Sequence, residues 1–161
     1  MYKRQGWDIL IWGLPAVLAL LLVSAGIEDA RIREIANWKN AAIALLAPVW
    51  WTAIGLSPWP DMVIQIGVAA AVLALFATAF HFGQMGGGDV KLIAALALWL
   101  PVVPLMRMLL LMSVIGGVLT LVMLIEHKVR QKHRTLEIPY GVAIAIAGLL
   151  GLREPLLNQF T

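Results

Sequence analysis

The chain has 161 residues, a length suited to one domain, with 61% hydrophobic and 13% charged residues. Soluble domains run at about 45–50% apolar and about 25% charged, so the composition excludes an ordinary soluble protein and indicates a chain immersed in the lipid bilayer. A formal charge of +3 gives no case for a nucleic-acid partner, and the lack of cysteine excludes disulfides, thiolate metal sites and a cysteine nucleophile.

Apolar runs in chain order are 9–27, 41–60, 62–90 (interrupted by His81 and Asp89), 92–106, 108–125 and 138–152. About 20 residues of helix cross a hydrocarbon core of about 30 Å, which the first, second, third and fifth runs can supply. The fourth and sixth cover about 22 Å at the helical rise, and Pro101 and Pro104 are expected to shorten the fourth further. The expected fold is all-α: one transmembrane domain, 1–161, with a bundle of about six helices, some short or broken. Lys3 and Arg4 before the first run resemble a signal peptide, but further apolar runs follow, so that run is read as a permanent span.

Basic residues assign the sides. The connection 28–40 carries Arg31, Arg33 and Lys39; the one around Gly86 carries Lys91; and 126–137 carries Lys128, Arg130, Lys132 and Arg134. These are eight of the twelve Lys and Arg residues, and the positive-inside rule puts their connections on the cytoplasmic side. The connection at 57–61 has none, and the fourth offers Arg107. Both termini then fall outside, although Lys3 and Arg4 argue against it. Trp50, Trp51 and Trp59 are expected either as interfacial anchors or as plain packing.

This topology brings two acids to one membrane face: Asp29 at the start of the first connection and Asp89 after three glycines in "GGGD", 86–89. Neighbouring carboxyls cannot both ionise cheaply, so one keeps a proton while the other activates water, a pairing able to hydrolyse a peptide bond without metal or cofactor. Glycine would permit positive φ and close approach of the backbone. The ordinary alternatives are an Asp29–Arg33 pair at i,i+4 spacing and Asp89 as a helix N-cap. His81, His127 and His133 lack metal-ligand spacing, so no metal site is expected.

"GGGD" with Val90 and Lys91 resembles the Gly-x-Gly-Asp motif of membrane aspartyl proteases. "DARIREIAN" at 29–37 is similar to the first-aspartate motif of type IV prepilin peptidases, and "IPYGVAIAIAG" at 138–148 resembles the final span of their short tight-adherence (Flp) branch. The resemblance implies a catalytic pair, Asp29 and Asp89, that removes the leader of prepilins or pseudopilins at the cytoplasmic face of the bacterial inner membrane. It implies site-shaping or substrate-contacting roles for Gly86, Gly88, Asn37 and Lys91, and other pilus-assembly proteins as further partners. Ala36 replaces the family's proline before Asn37, and no paired cysteines accompany the motifs, so methyltransferase activity is not expected. The presenilin-type rival pairs the motif with Tyr-Asp and Pro-Ala-Leu, neither of which occurs here. A non-catalytic membrane scaffold of a pilus or secretion apparatus is the alternative outside enzymology.

Overall fold

A computed structural model of the chain describes residues 2–130 and 138–158. Lys132, His133 and Arg134 of the basic fifth connection lie outside them. Among the described residues all the regular structure is helical: α1 (Tyr2–Ile32), α2 (Asn37–Ala53), α3 (Val63–His81), α4 (Gly87–Ala97), α5 (Val102–Arg130) and α6 (Tyr140–Asn158), with an irregular turn at Pro58–Met62 leading into α3. The expected all-α bundle is borne out.

Among the described residues, three stretches are long and apolar enough to cross a membrane: Ile9–Ile32, Pro58–His81 and Val102–Lys128. Their outer faces expose Leu20, Leu75 and Leu110. Where lipid replaces water, such side chains need no cover, and the demand shifts to the backbone, whose polar groups must be paired inside the protein. α4 and α6 occupy the interior. α4 packs on α2, α3 and α6, while α6 also packs on α1 and α5. Leu92, Ile93 and Leu96 of α4 and Ile144 of α6 are fully buried.

Two glycine turns set the helix lengths. Gly55 has φ 74° and Gly83 φ 68°, the left-handed region that glycine enters without a Cβ penalty. Leu56 N–H donates to Trp51 O at 2.8 Å and Gln84 N–H to Ala79 O at 3.0 Å, the six-to-one bond of a Schellman stop. α2 therefore ends at Ala53 with 17 residues, short of the full-length span expected from 41–60. The third run likewise breaks at His81, well before its expected end at residue 90.

The fourth run is shortened, as its prolines led one to expect: α4 stops at Ala97. The departure lies beyond it, where α5 starts at Val102 with Pro104 in its first turn, so Arg107 is a helical residue and not part of a connection. Proline is tolerated in a first helical turn because the amides there have no helical acceptor. The carbonyls freed at the end of α4 find side chains instead. Trp51 Nε1 donates to Leu98 O at 2.8 Å, and Gln65 Nε2 to Ala97 O and Leu100 O at 2.7 and 2.6 Å. Trp99 Nε1 donates to Ile43 O at 2.8 Å, and its ring stacks on Trp50. Trp50 and Trp51 are thus buried packing residues, whereas Trp59 is exposed.

Candidate active site

Residues 33–36 reverse the chain between α1 and α2. Arg33 takes a left-handed conformation, φ 59°, unusual for a residue with a side chain. The reversal is clamped by a polar cluster. Lys39 Nζ lies 2.8 Å from Glu28 Oε2 and donates to Ser24 O at 3.2 Å, while Ala36 N–H donates to the same Glu28 oxygen at 3.1 Å. Lys39, expected as a topology charge, is buried in this cluster.

Asp29 sits in the last turn of α1, not in a connection, because the helix continues to Ile32. It is only 4% exposed. Its Oδ2 accepts from Val142 N–H at 3.2 Å. Amides in the first turn of a helix have no partner within it, and Asp29 of α1 serves the start of α6, sharing the Val142 amide with Pro139 O at 3.3 Å. Tyr140 and Gly141 form that start, and a Cβ on Gly141 would lie 2.8 Å from Asp29 Cγ and 2.8 Å from Ile35 Cδ1.

Asp89 is the third residue of α4, after Gly87 and Gly88, and is also buried. It is not the N-cap. Gly86 takes that position with ordinary extended angles, φ −70° and ψ 146°, and its N–H donates to the Asp89 carboxyl, as an acid in a capping box does. The motif glycines provide the expected room but not the expected positive φ. A Cβ on Gly86 would meet Asp89 Oδ2 at 3.0 Å, and one on Gly88 would meet Ile35 Cβ at 3.2 Å.

The two carboxylates line the same two adjoining cavities, of about 310 and 510 Å3. Gly86, Gly88, Asn37 and Lys91 line the first; Tyr140 lines the second. Asp89 precedes the apolar run of α4. Burial first, and the facing Asp29 carboxylate second, push its carboxyl up to about 7, against the Gly86 N–H, which favours the anion. Asp89 Oδ1 is buried without a hydrogen-bond partner.

The remaining expected residues fall around this pair. Lys91 does not hold Asp89: its Nζ donates to Asn37 Oδ1 at 2.8 Å, tying α4 to the start of α2. The Asp29–Arg33 ion pair, the ordinary alternative at i,i+4 spacing, does not form within 4 Å. Arg33 lines both cavities, and its Nη1 is buried without a partner. Gly141 and Asn40 had no role in the sequence reading. Asn40 is buried and its Nδ2 donates to Gly88 O at 3.1 Å. The segment "IPYGVAIAIAG" had signalled the region of Gly141, but not its contact with Asp29.

Comparison with known proteins supplies the family. Residues 16–121 match the model of the type IV leader peptidase family. The chain is similar to two curated proteins named prepilin leader peptidase/N-methyltransferase, one from Aeromonas salmonicida (strain A449) and one from Aeromonas salmonicida. Each is 34% identical over 153 residues, covering 88% of this chain and 50% of the relative. The chain thus spans about half the length of the curated relatives it matches. No solved structure matches it. With the family model covering well over half of its residues, the chain belongs to the type IV leader peptidase family.

Proposed function

We propose that this chain is a membrane-embedded aspartyl endopeptidase that removes the leader of type IV prepilins or pseudopilins of the Flp type, using Asp29 and Asp89. The observation that carries the reading is the convergence of two buried carboxylates, from α1 and α4, on shared cavities. Nothing in bundle packing calls for two acids together at low exposure, because each must be desolvated. A scaffold would gain nothing from them.

In this mechanism the pair holds one proton near neutrality, on Asp89. Water attacks the scissile carbonyl carbon and gives its proton to the Asp29 carboxylate, while Asp89 donates its proton to the carbonyl oxygen. Collapse of the tetrahedral intermediate breaks the C–N bond, and the proton held by Asp29 passes to the leaving nitrogen. The proton that leaves the intermediate's hydroxyl restores Asp89. No metal or cofactor enters these steps.

The basic residues around the site support a cytoplasmic orientation, with cleavage at that face of the inner membrane. A periplasm-active reporter fused after Pro58 is expected to be active, and one fused after Lys128 inactive. Asp29→Asn and Asp89→Asn, each coexpressed with a prepilin at wild-type abundance, are expected to leave the leader uncut. Normal maturation by both variants would remove the aspartyl mechanism and favour the scaffold. Methyl transfer is assigned to no residue of the chain.

A further inference from the structure

Outside the carboxylate cavities, the structure has an apolar one of about 530 Å3. Its walls are α2 and α3, and its floor is α4, on which both pack. Ala41, Ala44, Ala69, Ala70, Ala94 and Ala95 line it. Such small side chains let the backbone of another helix approach closely in lipid, where packing and interhelical hydrogen bonds drive association.

Two observations identify the occupant. The cavity shares Asn37 and Lys91 with the smaller carboxylate cavity, so the two meet where Lys91 Nζ binds Asn37 Oδ1. Asn40 also lines it, only 4% exposed; its Nδ2 is committed to Gly88 O, and its Oδ1 is a buried acceptor with no partner. A buried amide oxygen at membrane depth calls for a donor. A lipid acyl chain has none. The first turn of an apolar helix has several N–H groups with no helical acceptor.

We propose that this groove seats the first turns of the substrate's own apolar helix, with Asn40 Oδ1 accepting one of its free N–H groups. The peptide segment before that helix then passes Asn37 and Lys91 to reach Asp29 and Asp89. This placement rests on the peptidase reading and adds to it the surface that selects the substrate: a helix with small or flexible residues at its start, preceded by extended chain.

The chain has no cysteine, so single thiols can be placed at will. The probe is a short basic leader followed by a Leu/Ala-rich helix of about 20 residues, with one cysteine in the helix's first turn, coexpressed with the full chain. In the Asp89→Asn background, Ala70→Cys is expected to form a disulfide with the probe, and Leu110→Cys, on the exposed face of α5, is not. In the otherwise wild-type chain, Ala44→Phe and Ala70→Phe are expected to raise KM for the probe at least tenfold with kcat little changed. Crosslinking needs no turnover and so reports seating apart from cleavage. Seating without aspartate-dependent cleavage overturns the peptidase reading alone. Cleavage by the wild-type chain with no Ala70→Cys crosslink, with equal crosslinking at Leu110→Cys, or with KM unchanged in both phenylalanine variants overturns the groove proposal alone.

Discussion

Gly141 stands so close to Asp29 that a Cβ there would lie 2.8 Å from the Asp29 Cγ and 2.9 Å from its Cβ. Carbon atoms do not approach that closely, so α6 can dock on α1 at this depth only with glycine. Gly141→Ala must therefore displace either the Asp29 carboxylate or the start of α6. Overpacking of this kind costs about 1–3 kcal/mol, and here the strain falls on a proposed catalytic atom. The expected outcome is a fall of at least about tenfold in cleavage, with loss of stability and full membrane insertion. Wild-type cleavage by Gly141→Ala would mean that the Asp29 position is not the one the reaction uses.

Gly86→Ala separates the site from stability more cleanly. The backbone angles of Gly86 suit alanine, and alanine also restricts the unfolded chain, an effect of about 0.4–1 kcal/mol where the native angles are compatible. The added methyl would meet only the Asp89 carboxyl, its Oδ2 at 3.0 Å and its Cγ at 3.8 Å. We expect a melting temperature equal to or above wild type together with slower cleavage, measured on the same purified protein. A drop in melting temperature with unchanged cleavage would contradict the geometry.

Much of this arrangement was legible in the sequence, and the exceptions have physical causes. Asp29 and Asp89 stood out because charge is rare in so apolar a chain, and alternation of the spans sent both to one end of the bundle. "GGGD" was misread in part. The turn that needs a left-handed glycine is made by Gly83, and Gly86 and Gly88 are small to admit Asp89 and Ile35. Pro101 and Pro104 marked the shortening of the fourth run correctly, and what they did not show is that the chain re-enters a helix at Val102 with Pro104 accepted in its first turn. Gly141, Asn40 and the burial of Lys39 were not legible from local pattern: each depends on a partner supplied by another helix, namely Asp29, Gly88 and Glu28.

The Asp89 carboxyl gives a signed pH dependence. Its pKa, about 7 in the folded chain, compares with about 4 for an unperturbed aspartate. Between those values the folded chain holds a proton that the unfolded chain has released, so stability falls as pH rises through the window. The contribution is complete below about pH 4 and gone above the folded value. Asp29 from α1, Arg33 and Glu34 from the reversal that follows it, Tyr140 from α6 and Lys91 from α4 itself line the same cavities, so comparison with Asp89→Asn is needed to isolate this proton. Thermal melts in detergent are expected to show the variant more stable than wild type at pH 8 and similar at pH 4. Cleavage by the wild-type chain is expected to fall as pH rises through about 7, as Asp89 ceases to be an acid. A rate that rises across that range would reverse the roles of the two carboxyls.

Arg33 allows stability and catalysis to be set against each other at one residue. Its φ of 59° costs a side-chain-bearing residue about 1–2 kcal/mol that glycine avoids, while glycine loses about 0.5–1 kcal/mol through its greater freedom when unfolded. Arg33→Gly is therefore expected to leave stability within about 1 kcal/mol of wild type. The same substitution removes a buried guanidinium nitrogen that has no partner and lines both carboxylate cavities. A donor in that position suits the negative charge that develops on the carbonyl oxygen during attack, and loss of such a donor costs about 10²–10³ in kcat elsewhere. Steady-state kinetics on the purified variant should therefore give a kcat at least about tenfold lower with KM nearly unchanged, and Arg33→Lys should recover part of it. Unaltered kcat in Arg33→Gly would reduce Arg33 to the residue that ends α1.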